Sequence, residues 1–300
     1  MPSQQISVSA YTKINLGLEI VGKRANGYHD ILTVFQKISL HDQIIINRQR
    51  SDITISSSDL SLPCDHSNLC YKAAKKFLER FAINGGVNIH IEKHIPIAGG
   101  VGGGSADAAA VLKILPQMFK LEAEQSFILE LAVSIGADVS FLATEYITAI
   151  GEGIGDRLRE ISSPKSKPLL IISPSIDYFP GQSKTPFLYR TYDGMLKDGK
   201  IATARMDIAS VQMALERSDF SALKELATNA FEPVAFSHYP VLNEIKQRLY
   251  SCGAEFSLLA GAGPCVFGLF RSEEEAKRAG EDLSGFGRII LAKTLGGNVS

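Results

Sequence analysis

Between Ile95 and Leu112 the chain reads IPIAGGVGGGSADAAAVL, with five glycines in the six positions from Gly99 to Gly104 and an alanine-rich run behind them. Glycine costs about 1 kcal/mol against alanine inside a helix, so a cluster this dense at a helix entrance implies that something comes close to its backbone. Backbone N–H groups bared by glycine, just ahead of the partial positive charge of a helix N-terminus, suit an anion and above all a phosphate. The bland alternative is a tight strand-to-helix turn, which needs only one or two glycines. The common phosphate loops do not fit: no Lys follows Gly104 as GxxxxGK[ST] requires, and GxGxxG counted from Gly100 or Gly102 ends on Ser105 or Asp107. The HRD and DFG of protein kinases are absent as well.

Three further positions could carry chemistry. Asp138 stands in GADVSF between small and apolar residues, where it either acts as a base or caps the next turn. Lys13 and Asn15 share one face of an apolar-alternating segment; a strand lysine usually faces solvent, but this one has apolar neighbours on both sides. Tyr28 and His29, in GYH, lie in a loop of exposed character, where such residues most often serve surface or packing roles.

The elements that must position these residues follow from periodicity. From Tyr11 to Ile20 the even positions Ile14, Leu16, Leu18 and Ile20 are apolar, the period of a half-buried strand. Further strand-like runs occupy Ile31 to Leu40, Gln43 to Asn47 and Ile53 to Ser56. A helix over Asn68 to Phe81 carries Ala74, Phe77, Leu78 and Phe81 on one stripe. After the strand VNIHIEKHI, the glycine run opens a helix near Ser105 that meets Pro116. A helix from about Glu124 to Ile135, striped by Phe127, Leu131 and Ile135, delivers GADVSF, and strands at Tyr146 to Ile150 and near Leu158 close this half. The polar stretch SSPKSKP, Ser162 to Pro168, separates an N-terminal domain, 1–164, from a C-terminal one, 165–300. The second half reads as a strand LLIIS, two or three helices between Thr185 and Tyr250, strands at Glu255 to Leu259 and Cys265 to Phe270, a helix with a Ser272–Glu275 capping box, and a last strand RIILAKT.

Composition narrows the class. Forty-five per cent hydrophobic and 21% charged residues in 300 describe a globular chain with room for two cores. A net charge of −1 without basic clusters argues against nucleic-acid or membrane partners and for a small-molecule ligand. Without a signal-like start or 18 uninterrupted apolar residues, the expected location is cytoplasmic. Cys64, Cys70, Cys252 and Cys265 form no CxxC pair and are expected to be reduced structural thiols.

Taken together, AYTKINLGLEIVGKRANGYHDI, PIAGGVGGGSADAAA, GADVSF and the late LLAGAGPCVF resemble, in order, the motifs of the GHMP small-molecule kinases over nearly the whole chain. The resemblance implies an α+β, two-domain GHMP kinase fold, with an N-terminal domain like domain 2 of ribosomal protein S5 and a C-terminal ferredoxin-like domain. It implies ATP as phosphoryl donor with Mg²⁺, in a monomer or weak homodimer. The N-terminal motif points to the branch acting on a cytidine diphosphate-linked methylerythritol, at its 2-hydroxyl, in the non-mevalonate isoprenoid route. Homoserine or mevalonate kinase activity and a non-catalytic phosphate-binding module are the alternatives. A dinucleotide-dependent reductase is disfavoured by the broken glycine spacing.

Residue by residue, the same resemblance makes Asp138 the catalytic base and Lys13 its cationic partner, with Asn15 orienting substrate. ATP falls to Pro96, Ile97, Ala98, Gly99, Gly100, Val101, Gly102, Gly103, Gly104, Ser105 and Ala106; the Ser105 hydroxyl is left to the β- or γ-phosphate or to its Mg²⁺, and no paired carboxylates mark a metal site. Tyr28 and Tyr189 take the two faces of the cytosine and His29 its polar edge. Two departures stand out: Ala106 replaces a second serine of the loop, and the late AGAGPC lacks the usual serine, so hydroxyl contacts to phosphate are lost.

Overall fold

A computed structural model of the protein describes residues 5–203 and 205–296. The alternating apolar pattern near the N-terminus forms strand β1 (Gln5–Lys23), but not a half-buried one. Every residue from Thr12 to Ile20 is buried, so the polar face carrying Lys13, Asn15 and Glu19 is enclosed as fully as the apolar one. The two strand-like runs that follow are a single strand, β2 (His29–Gln49). His41-Asp42 makes no turn between them, because the Asp42 carboxylate, wholly buried, accepts hydrogen bonds from the N–H groups of His94 and Ile95.

The described residues form two compact units. The first draws on 5–12, 40–97 and 102–146, the second on 13–39, 98–101, 147–203 and 205–296. In the first, β4 (Gly86–Glu92) lies between the second half of β2, antiparallel, and β3 (Ile53–Ser57), parallel. Ile44, Ile46, Val87, Ile89 and Ile91, all fully buried, make its apolar strand face. Helix α1 (Leu69–Arg80), opened by the Asn68 side chain accepting the Cys70 N–H, packs on these strands and on α2 (Gly103–Phe119). Helix α2 begins two residues before Ser105 and carries Pro116 within its last turn. Helix α3 (Gln125–Ile135) buries Ile128 and Ala132, with the expected stripe of Phe127, Leu131 and Ile135 only half-buried beside them. The segment GADVSFLA then forms a short helix, α4 (Ala137–Ala143), packed on α2 and α3.

In the second unit, the first half of β2 pairs with β5 (Thr148–Glu152), which pairs in turn with β6 (Arg157–Glu160). A separate antiparallel sheet contains β7 (Pro168–Pro174), β8 (Phe256–Leu259), β9 (Val266–Leu269) and β10 (Gly287–Lys293) in the order β10-β7-β9-β8. This order, with helices between the first and second and the third and fourth strands, is the ferredoxin-like split β-α-β arrangement. The helical stretch holds five helices where two or three were expected: α5 (Lys184–Lys197), α6 (Ile208–Glu216), α7 (Leu223–Leu226), α8 (Glu232–His238) and α9 (Pro240–Ser251). Pro233 and Pro240 lie at helix starts, where a missing N–H costs nothing, and so add helix boundaries to the stretch. In α10 (Glu273–Asp282), Ser272 accepts the Glu275 N–H, while the Glu275 carboxylate accepts from Arg271 rather than from Ser272 itself. All four cysteines are free thiols.

One buried ionic cluster sits at the root of α2. Lys93, just beyond β4, donates to Asp42 and, at 3.0 Å, to Asp107 of α2; the three side chains are at most 3% exposed. Two carboxylates share one ammonium, and Asp107 Oδ1 is buried with no partner. Burial pushes the Asp107 carboxyl up, and neighbouring Asp42 adds to this against the pull of Lys93, from 3.8 to about 8. Burial opposes the charge of Lys93 as well, but the two carboxylates outweigh it and raise its affinity for the proton. Because the folded chain holds the Asp107 proton more tightly than the unfolded chain, folding takes up a proton between about pH 4 and pH 8 and weakens as pH rises through that window. Asp107→Asn removes this dependence. The variant's stability relative to wild type should improve by up to about 1.4 kcal/mol for each pH unit across the window and level off above it. Denaturant unfolding of both proteins at pH 5, 7 and 9 checks this, and parallel curves would count against it.

Candidate active site

The glycines of the loop answer to different neighbours. Gly100 adopts φ +86°, and a Cβ there would lie 2.0 Å from the Ala260 carbonyl oxygen and 2.7 Å from the Gly263 nitrogen. Gly261, also at positive φ, would place a Cβ 2.6 Å from the Gly100 oxygen, and the Cys265 N–H donates to Gly99 at 3.1 Å. At this point the backbone meeting the glycine loop is that of the late glycine motif. Gly103 is closed off differently, since its Cβ would sit 2.8 Å from Ile95 Cγ2. Gly102 takes φ +80° as the N-cap of α2. Gly104 is exposed, and a Cβ there would find its nearest neighbour, Leu69 Cδ1, at an ordinary contact distance of 3.8 Å. Nothing in the protein's own packing requires glycine there.

Helix α2 thus begins without a side-chain cap and without an acidic residue in its first turn. The N–H groups of Gly103, Gly104 and Ser105 precede the first intrahelical bond, which Ala106 makes to Gly102 at 2.9 Å. With the positive end of a 17-residue helix behind them, they form a site suited to phosphate. Asp138 lies in the first turn of α4, which packs on this same helix. Pro96, Gly99, Val101, Gly103 and Ala106 are buried, Gly100, Gly102 and Ser105 half-buried, and Ile97, Ala98 and Gly104 exposed. The Ala98 carbonyl, on a residue with φ +56°, and that of Gly263 each accept a 2.6 Å hydrogen bond from Lys184 Nζ at the start of α5. Sequence reasoning missed Lys184, whose two acceptors lie 86 and 79 positions away.

In the second unit, Lys13 and Asn15 do share a face and touch. Lys13 Nζ donates to Asn15 Oδ1 at 2.8 Å, Asn15 Nδ2 to Thr33 Oγ1 at 2.7 Å, and Thr33 Oγ1 to the Gly17 carbonyl at 2.7 Å. The Phe35 ring lies 5.4 Å from the Lys13 ammonium. Thr33, also missed, fixes which way the Asn15 amide points. A lysine 2% exposed, held by an amide that is itself anchored to Thr33, is a placed charge rather than a solvated one.

Tyr28 and His29 separate. Tyr28 is 62% exposed in the turn before β2. His29, expected in the same exposed loop, instead opens β2 and is buried, because its ring stacks on Tyr189 of α5 at 4.4 Å and 12°. Phe231 and Tyr189 form a T-shaped pair with ring centroids 4.9 Å apart. His29 Nε2 lies 2.8 Å from Asp193 Oδ1, and Lys23 binds the other oxygen of that carboxylate at 2.6 Å. Asp193 went unread although it follows Tyr189 by one helical turn. Among the described residues no three His, Cys, Asp or Glu side chains cluster as metal ligands, and no helix is long and apolar enough to cross a membrane.

The family described as GHMP kinases N terminal domain matches residues 68–145, and GHMP kinases C terminal matches 212–289. The chain is 37% identical over 282 residues to 4-diphosphocytidyl-2-C-methyl-D-erythritol kinase of Prosthecochloris aestuarii, covering 94% of each chain. It is 36% identical to the enzyme of the same name from Acetivibrio thermocellus, covering 93% of this chain and 95% of that one. A crystal structure of 4-(cytidine 5'-diphospho)-2C-methyl-D-erythritol kinase superimposes with a TM-score of 0.80 at 31% identity, covering 97% of this chain and all of the other. With both family segments matched and these likenesses running nearly end to end, the chain belongs to the GHMP kinases, enzymes that use ATP to phosphorylate an alcohol.

Proposed function

We propose that the protein transfers the γ-phosphoryl group of ATP to the 2-hydroxyl of 4-diphosphocytidyl-2-C-methyl-D-erythritol, giving the 2-phosphate and ADP, as a cytoplasmic enzyme of isoprenoid precursor synthesis. The observation that carries this reading is the uncapped N-terminus of α2 behind its glycine loop, together with near-full-length likeness to kinases of that name. The loop residues Pro96 to Ala106 would receive the nucleotide phosphates, with the free N–H groups of Gly103, Gly104 and Ser105 as donors. The boundary between the N- and C-terminal domains is drawn at 164/165.

Phosphoryl transfer through a loose transition state asks for alignment and charge stabilisation more than for covalent chemistry. In this reading Asp138 accepts the proton of the substrate hydroxyl, and Lys13 stabilises the charge spread over the transferred group. Asn15, locked by Thr33, keeps the ammonium aimed and orients substrate. Tyr28 offers an exposed ring face to the cytosine, Tyr189 the second aromatic, and His29 a polar edge. Mg²⁺ would be held with the nucleotide, Ser105 Oγ being the protein oxygen toward it, and would supply charge neutralisation during the transfer.

ADP release by purified protein with ATP, Mg²⁺ and a panel of hydroxylated small molecules, including the cytidine diphosphate substrate, tests the assignment. Turnover of homoserine or mevalonate in its place would replace it. Asp138→Asn keeps shape and loses basicity, so both substrates should still bind while kcat falls by about 10²- to 10⁴-fold. A small effect there beside a large one at Lys13→Met would mean that the cation, not the base, carries the chemistry. For the loop, Gly104→Val should fold with stability within about 1 kcal/mol of wild type yet lose tenfold or more in ATP affinity, whereas Gly100→Ala should fail as a fold. Nucleotide titration beside thermal unfolding separates the two outcomes; normal ATP binding by the Gly104 variant would remove phosphate from this end of the helix.

A further inference from the structure

His29 is held from two directions by one face of α5. Tyr189 and Asp193 are four residues apart on that helix, so their side chains leave it together. One supplies the ring on which the imidazole stacks, the other the carboxylate that bonds Nε2. Lys23 occupies the second carboxylate oxygen. Burial acts to raise the Asp193 carboxyl, but the hydrogen bonds from Lys23 and His29 outweigh it and hold it below the ordinary range, so it is an anion at neutral pH. A carboxylate only accepts, and Nε2 must therefore carry the hydrogen. In the neutral imidazole the other nitrogen, Nδ1, is then a bare acceptor. Nδ1 makes no hydrogen bond among the described residues.

We propose that Asp193 is a specificity-determining positioning residue: by fixing the hydrogen on Nε2 it makes Nδ1 of His29 a permanent acceptor, which selects a base edge bearing an amino donor, as cytosine does, over one bearing a carbonyl, as uracil does. This rests on the cytidine substrate assigned above. The discrimination is strong in kind, because a uracil oxygen facing a bare imidazole nitrogen sets two acceptors against each other with no hydrogen between them.

The test compares wild type, Asp193→Ala and Asp193→Asn on the substrate and on its uridine counterpart, with ADP release as the readout. Asp193→Ala should raise KM for the cytidine compound about tenfold, leave KM for ATP near its wild-type value, and narrow the cytidine-to-uridine ratio of kcat/KM by tenfold or more. Asp193→Asn, whose amide can either accept from Nε2 or donate to it, permits both tautomers in an intact fold and should narrow the ratio as well. The ¹⁵N shifts of His29 should report a single Nε2–H tautomer in wild type and a mixture in the Asn variant. If wild type turns over the cytidine compound but the ratio is unchanged in both variants, the inference is overturned alone. If wild type does not turn it over at all, the functional assignment falls and this inference with it.

Discussion

The close approach of two stretches of bare backbone, Gly99-Gly100 and Ala260 to Gly263, is the constraint on which the candidate site depends. With a carbonyl oxygen 2.0 Å from where a side chain at residue 100 would begin, no substitution is tolerated without moving one strand of backbone away from the other. The Gly99 carbonyl is tied by the Cys265 N–H, and those of Ala98 and Gly263 by a single ammonium. The late motif itself, LAGAGPC, has no side-chain donor to offer these carbonyls before Cys265. Lys184 fills that need, which is why a surface-type residue is found with its charge directed at main-chain oxygens.

The other end of the loop is held by a different kind of force. Asp42 accepts the N–H groups of His94 and Ile95 ahead of the glycines, while Lys93 reaches from the same segment to Asp107 on the helix after them. The loop is therefore bracketed by a buried charge cluster that fixes where it leaves β4 and where α2 begins. A carboxylate and a second, proton-holding carboxyl buried about one cation is a poor arrangement for stability alone. It gives direction instead: the orientation of the first turn of α2 decides where its N–H groups point.

What the sequence disclosed was local. Strand β1 and helices α1 and α10 were readable because their signals, a period of two, a stripe at i, i+3, i+4, and a serine cap, reside within a dozen residues. The glycine cluster announced a close approach, and at Gly104, where a Cβ would meet Leu69 at an ordinary 3.8 Å, the protein's own packing does not account for the glycine. For Gly100 the approaching group is 160 positions downstream, and no spacing rule connects the two. His29 was misjudged for the same reason, since the ring and carboxylate that bury it arrive on α5, 160 and 164 residues later. The gap between the runs ending at Leu40 and beginning at Gln43 closes into one strand, because Lys93 and two backbone N–H groups bond the buried Asp42 carboxylate. The extra helices opened by Pro233 and Pro240 are the exception, for that signal was present and local.

Helix α5 has a further significance when its residues are taken in order. It begins at Lys184, which holds Ala98 in the glycine loop, and about one and a half and two and a half turns later it presents Tyr189 and Asp193 to His29. A helix of 14 residues moves as a rod, so a shift at its first turn is shared by its third. The groups assigned to the donor and to the acceptor are in this way attached to one rigid element. Linkage then requires reciprocity: whatever free energy one ligand contributes to settling α5, the other gains in the same amount.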